Sequence, residues 1–190
     1  MGALARRKQM KVCVFLAEGF EEIEALTVVD ILRRAKIDTS LVAVTGEKTV
    51  TSSHKISVMT DELFEDVNFA EVDMIVLPGG MPGTVNLEAH EGLMKQVDNF
   101  YAEEKWLAAI CAAPSIFGHK GMLKGKEACS YPDFESHLEG ARVVAKPVCV
   151  AGKMITSRGM GTAIPFALEI CKQLLGEEIA ADIASAIIYS

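Results

Sequence analysis

The sequence predicts a doubly wound α/β fold, a mostly parallel sheet sandwiched by helices, and three observations carry that prediction. Strand-length apolar runs recur without polar alternation, as expected of a sheet covered on both faces. Helix-patterned segments separate them, which is the signature of parallel βαβ units. Four junctions that directly follow predicted strands, AEGFEEIE, LPGGMPG, AICAAP and TSRGMGTA, carry unusual chemistry. In such sheets ligands gather beyond the carboxyl ends of the strands, where loops enter helix N-termini. The four junctions should therefore converge on one edge.

Taken in order, KVCVFLA (Lys11 to Ala17) is a short apolar run and reads as a buried strand. EEIEALTVVDILRRAKI follows as a helix, with basic residues in its last turns where the helix dipole favours them. TSLVAVT (Thr39 to Thr45) is a second strand, and HKISVMT (His54 to Thr60) alternates like an exposed one. VDMIVLPGG (Val72 to Gly80) is a buried strand running into glycines. A helix is expected around Leu93 to Tyr101, then the strand WLAAI, then a helix beyond Cys111. Short strands near Glu127 to Ser130, Arg142 to Ala145 and Met154 to Thr156 precede a final helical stretch, Ala163 to Leu175.

At 190 residues and 20.5 kDa, the chain from 1 to 190 is expected to form one domain, with residues 1–10 a flexible lead-in. Hydrophobic residues make up 50% and charged residues 24%, which excludes the composition of a disordered chain. The net charge of −7 opposes nucleic-acid binding, and the one cationic cluster, Arg6 to Lys8, reads as part of the lead-in. The apolar run after the basic start is too short for a signal peptide. Nothing approaches the roughly 18 uncharged residues of a membrane span. The five cysteines form an odd, irregularly spaced set without a CxxC pair, and HExxH is absent. A disulfide framework and a zinc site are therefore not expected, nor any other cofactor, and the chain reads as cytoplasmic with reduced thiols.

The chemistry concentrates on Cys111. Ala112 and Ala113 allow a sharp strand-to-helix turn, and Pro114 suits a first helical turn, where no amide donor is needed. A thiol there feels the positive end of the helix, which favours thiolate, in the manner of a nucleophile elbow. A cysteine between small residues also suits plain core packing. Glu24 shares a helix face with Val28, Ile31 and Ala35, so it points among apolar partners. A carboxyl buried there has its pKa raised and can shuttle a proton; the alternative is a helix acid at the rim of the core. Glu21 and Glu22 read as ordinary first-turn acids.

Gly79 and Gly80 let main-chain amides approach a ligand, as an oxyanion hole requires, although tight turning alone explains most such loops. Arg158, in SRGMGT, is placed to clamp an anion or to stand as a surface arginine in a turn. His119 reads as a helix-end residue, and His90 and His137 as solvated positions. Cys129 is a candidate resolving thiol, while Cys13, Cys149 and Cys171 read as packing.

The stretches AEGFEEIEALTVVDILRRA, DMIVLPGGMPG, AAICAAPSIFGHKGML and TSRGMGTAIPFALEI together resemble the ThiJ/PfpI superfamily, specifically its DJ-one branch of Parkinson-associated protein deglycases. The match runs in order from about Lys11 to the C-terminus, and the combination is highly specific although each motif alone is not. The resemblance implies a flavodoxin-like fold and a homodimer. It implies a Cys111 nucleophile in a strained turn, touched by a protonated Glu24, with Gly79, Gly80 and Ala112 on the amide-lined pocket. It also implies that Cys111 is the position open to oxidation to sulfinic acid. Implied activities are cofactor-free conversion of methylglyoxal to lactate and removal of glyoxal adducts from amino groups, beside chaperone and oxidative-stress roles.

Three departures from the resembled pattern bear on mechanism. Ala112 stands where the protease-like branch has a histidine, so a cysteine peptidase or amidase is disfavoured. Tyr131 stands where animal deglycases carry a histidine before a proline, so a histidine-assisted step does not transfer. His54 matches an arginine that in relatives reaches the partner subunit's site, so an anion clamp there would depend on pH. The leading expectation is a glyoxalase or deglycase acting on a dicarbonyl or glycated substrate. The alternative is a redox-sensing stress protein or chaperone.

Overall fold

The computed structural model describes residues 9–190. Most of the expected lead-in therefore lies outside the described residues. In chain order the strands are β1 (Lys11–Leu16), β2 (Asp38–Ala43), β3 (Thr49–Thr51), β4 (Ser57–Met59), β5 (Glu62–Leu63), β6 (Met74–Leu77), β7 (Trp106–Ile110), β8 (Glu127–Ala128), β9 (Arg142–Val143), β10 (Val148–Ala151) and β11 (Met154–Ser157). The helices are α1 (Glu22–Arg34), α2 (Gly83–Ala89), α3 (Glu91–Ala102), α4 (Pro114–His119), α5 (Ala163–Leu175) and α6 (Glu177–Ala186).

Seven strands form the main sheet in the order β10-β11-β7-β6-β1-β2-β5. All neighbours run parallel except β10, an edge strand antiparallel to β11. Alternate residues along each strand supply the two cores. Val12, Val14 and Leu16 of β1 pack with Val28 and Leu32 of α1 and Phe166 and Ile170 of α5. Cys13 and Phe15 face the other way, toward Leu93, Val97 and Phe100 of α3 and Ile116 and Phe117 of α4. The uninterrupted apolar strands thus have a covered face on either side, the doubly wound arrangement their composition predicts. Each large side chain so buried contributes roughly 1.5–3 kcal/mol.

The chain leaves β1 toward β2 on one side and returns to β6 on the other, so the order reverses beside β1. The carboxyl ends of β1, β6, β7 and β11 lead into the four singled-out junctions, which places them on one edge. Several elements differ from expectation. HKISVMT forms a strand only over Ser57–Met59, which closes a small hairpin with β3 outside the main sheet. Residues 52–55 are spent on its turn, where Lys55 has φ +67°. The hairpin partner β3, the edge strand β10 and the helices α2 and α6 have no counterpart among the expected elements. No described helix is long and apolar enough to cross a membrane.

Candidate active site

Cys111 occupies the corner between β7 and α4 with φ +66°, left-handed backbone that a residue with a Cβ adopts at a cost of roughly 1–3 kcal/mol. The surroundings hold it there from both sides. Its N–H donates to the Ser157 carbonyl at 3.0 Å, and its own carbonyl accepts the Tyr131 N–H at 2.8 Å. Of the five cysteines only Cys111 is not buried.

Glu24 reaches the same corner from α1. Its helix begins with an opened capping box. Glu21, at the N-cap, accepts the Glu24 N–H on Oε2 at 2.7 Å. In a closed box the acid at Glu24 would reach back to the N-cap amide. Here the Glu21 N–H donates instead to the Gly79 carbonyl at 2.9 Å, and the Gly79 N–H donates to Glu24 Oε2 at 2.9 Å. The Glu24 carboxyl is thereby turned from its own helix into the site, 1% exposed, with Oε1 lacking any hydrogen-bond partner. The N–H groups of Ala112 and Gly80 face the Cys111 sulfur, and the Glu24 carboxyl stands against it.

Gly79 is required by this packing. A Cβ at that position would sit 2.6 Å from Cys111 Cβ and 2.7 Å from Glu24 Oε2. Gly80 has φ +92°, and a Cβ there would come within 2.4 Å of the Glu21 main-chain nitrogen. The two amides divide their work: Gly79 holds the acid and Gly80 faces the sulfur.

The electrostatics correct one expectation. Burial, then the charge of the Glu24 carboxylate and its contact with the sulfur, push the Cys111 thiol up to about 12. The Ala112 and Gly80 amides pull the other way without prevailing. The helix dipole invoked from the sequence is short here, because α4 spans only 6 residues. Burial, then the nearby Glu21 carboxylate, raise Glu24 to about 7. The Glu24 carboxylate opposes ionisation of the thiol, whereas the hydrogen bond from Cys111 favours the carboxylate, so their protons leave in two steps that belong to the pair. Above the first step, near neutrality, the two share one proton and one negative charge. The thiolate is therefore reached by placing that proton on Glu24, not by an intrinsically acidic sulfur.

The remaining singled-out residues fall as follows. Ala112 is buried beside the sulfur. Arg158 follows β11 but leans toward Glu135, 3.9 Å away, with its Nε buried and unpartnered. His54, on the β3–β4 turn, pairs with Glu22 of its own chain at 3.0 Å. Glu21 and Glu22, read as ordinary first-turn acids, are both buried. Together with His54 they bring ligand-type atoms within 4.8 Å of one another. Those atoms already serve the Glu24 N–H and the His54 ring. Of the histidines read as solvated, His90 is half-buried and caps α3, its Nδ1 accepting the Leu93 N–H at 3.0 Å. His137 is exposed and bonds at 3.0 Å to His119, the last residue of α4, which also bonds Glu88 at 2.6 Å. The Cys129 thiol bonds Thr156 and contacts Cys149, so its sulfur partner is not Cys111. Sequence reasoning missed Glu21 as the residue that aims Glu24. The signal available was its spacing three residues ahead of Glu24, obscured because glutamate is an uncommon N-cap.

The sequence profile of the DJ-1/PfpI family matches residues 10–173. The chain belongs to the DJ-1/PfpI family. DJ-1 homologs B and A of Arabidopsis thaliana are 37% and 35% identical to it over 180 residues, 94% and 93% of this chain. The chain spans only 41% and 46% of those relatives' own lengths. Glutathione-independent glyoxalase DJ-1 of Schizosaccharomyces pombe is 28% identical over 179 residues, 89% of this chain and 93% of that protein. Among solved structures, oxidized Toxoplasma gondii DJ-1 superposes with a TM-score of 0.91 at 35% identity, covering 95% of this chain and 99% of that one. The flavodoxin-like arrangement expected from the DJ-1/PfpI resemblance is the fold described above.

Proposed function

We propose that this DJ-1/PfpI chain is a cofactor-free, cysteine-dependent glyoxalase or deglycase that acts on reactive dicarbonyls such as methylglyoxal, or on their adducts with amino groups. The observation that carries this reading is the buried Glu24 carboxyl set against Cys111, with one oxygen free. The fission-yeast relative whose name denotes a glutathione-independent glyoxalase adds support.

The chemistry follows from the shared proton. With that proton on Glu24, the thiolate adds to the aldehyde carbon of methylglyoxal, and a hemithioacetal forms. Glu24 then takes the proton from this carbon and returns one to the adjacent carbon, which converts the adduct to a lactoyl thioester. Water cleaves the thioester, releasing lactate and restoring the thiol. The Gly80 N–H, which faces the sulfur, would support the oxyanion formed on attack. With a glycated amine, a hemiaminal of the dicarbonyl, the thiolate attacks the hemiaminal carbon, the C–N bond breaks, and the amine leaves with the Glu24 proton. The resulting hemithioacetal enters the same sequence. Such an activity suits protection from carbonyl and oxidative stress in the cytoplasm. The apolar, exposed Ile23 and Ile56 beside the site suit a homodimer interface.

A peptidase reading lacks a base. Among the described residues the partners of the four histidines are Glu22 and Ser53, the Leu93 amide, Glu88 and one another, not Cys111. The redox-sensing reading is favoured by one observation, that Cys111 is the cysteine left partly open.

The test is lactate formation from methylglyoxal without glutathione. Cys111→Ala is expected to lower turnover by roughly a thousandfold or more. Glu24→Ala is expected to lower it by roughly 10²–10⁴-fold, the range of a lost general acid–base. Wild-type rates in both variants would refute the proposal. Negligible turnover in the wild type, with clean addition of oxygen to Cys111 under mild peroxide, would transfer the assignment to redox sensing.

A further inference from the structure

Cys129 and Cys149 lie twenty residues apart in sequence and meet beside one threonine. Thr156 of β11 is the cross-strand partner of Cys149 on the edge strand β10, so the two side chains share a face. Thr156 Oγ1 also accepts the Cys129 N–H at 3.1 Å, and the Thr156 carbonyl accepts the Cys129 thiol at 3.3 Å. The main-chain N–H of Cys149 is directed at the Cys129 sulfur, and the two thiols contact each other. Both are buried, at 0% and 4% exposure. Neither takes part in the chemistry assigned to Cys111.

We propose that Cys129 and Cys149 form a dithiol–disulfide couple, separate from Cys111, that a hydroperoxide converts to an intramolecular disulfide. The two thiols interact, and both are anchored beside Thr156, one by hydrogen bonds and one by strand register. Closure of this pair requires an S–S bond of roughly 2.0 Å. The step balances with one equivalent of hydrogen peroxide. The Cys149 thiolate attacks one peroxide oxygen, the O–O bond breaks, and hydroxide leaves and takes up the thiol's proton as water. The resulting sulfenic acid is attacked by the Cys129 sulfur; the S–O bond breaks and the Cys129 proton departs with the hydroxyl as a second water. Two thiols lose two hydrogens and the peroxide is reduced to two waters.

Cys149 is the thiol that reacts first, for two reasons. It lies on an edge strand, whose outer side opens more readily than the sheet interior. Its thiolate is also supported by the Cys129 thiol and the Lys146 cation, although burial still pushes the Cys149 thiol up. Burial makes the reaction slow and ties its rate to opening of β10. The disulfide would clamp the two ends of the segment between positions 129 and 149. That segment includes Tyr131, whose N–H donates to the Cys111 carbonyl. The couple is therefore wired by main chain to the elbow without sharing its sulfur.

The experiment is performed on Cys111→Ser, which removes the partly open thiol, and in parallel on the wild type. Folded protein is incubated with hydrogen peroxide, denatured with maleimide present, and digested without reduction. The expected result is a Cys129–Cys149 linked peptide, an intact mass lower by two hydrogens, and full restoration of both thiols by reductant. Cys149→Ser in the same background should leave Cys129 free to react with maleimide and abolish the linked peptide. Failure of Cys149→Ser to fold would leave the peptide map of the other two proteins as the deciding measurement. Peroxide treatment that leaves Cys129 and Cys149 unlinked while the protein stays folded overturns the proposal. So does a linked peptide that joins other cysteines.

Discussion

Cys111 and Cys129 are both cysteines that follow a strand near the same edge, and both thiols are pushed up to about 12, yet their surroundings differ in kind. Around Cys129, the neighbours are another thiol and the Thr156 carbonyl, which accepts a hydrogen bond from the thiol. Around Cys111, the neighbours are two amides that would hold a thiolate and a carboxyl able to take its proton. A raised affinity for the proton therefore does not mark a sulfur as inert. Both sulfurs have main-chain donors nearby, so what separates the two sites is whether a carboxyl stands by to take the proton. The backbone adds to this: Cys111 is held at φ +66°, and it alone of the five cysteines is only partly buried.

The comparison breaks first if the buried carboxylate costs nothing. The Glu24 carboxyl rises from 4.5 unfolded to about 7 folded. The folded chain thus binds this proton more tightly than the unfolded one, and stability is lost as pH climbs from about 4.5 to about 7, with the full penalty present above. At about 1.4 kcal/mol per pH unit, the loss is on the order of 3 kcal/mol. Glu24→Gln should lack this decline, so denaturant unfolding of wild type and variant should show a gap that moves in the variant's favour between pH 5 and pH 8. A constant gap would mean that Glu24 titrates normally.

A smaller effect sharpens the geometric half of the contrast. Gly79→Ala inserts a methyl between Cys111 and Glu24, where neither has room. Turnover of methylglyoxal should fall by about a hundredfold, as for a displacement of about 1 Å in the reacting groups. Retained turnover in a folded Gly79→Ala protein would show that the contact is dispensable.

Much of this arrangement was legible in the chain. The runs KVCVFL and WLAAI are too apolar for a half-exposed sheet, and their order with the intervening helices dictates a covered parallel one. Glu24 could be picked out because its i+4 and i+7 neighbours are apolar, and Cys111 because small residues and Pro114 follow it. What could not be read were relations that only the fold creates. The capping role of Glu21 depends on the Gly79 carbonyl, 58 positions away in the chain, taking its amide. The meeting of Cys129 with Cys149 depends on the register of β10 against β11. The acidity assigned to Cys111 from its helix went astray because the helix is short and a carboxylate faces the sulfur. Charge repulsion across the site is invisible to local spacing.

The central claim is that one proton is shared between Cys111 and Glu24, and the rate of Cys111 alkylation by iodoacetamide across pH tests it most directly. In the wild type the rate should rise through a step near pH 7 to a plateau, because the fraction of thiolate within the singly charged pair is then fixed. In Glu24→Gln that step should vanish, leaving only the ionisation of the thiol itself. Superimposable profiles for the two proteins would show that the sulfur ionises without the carboxyl and would contradict the account.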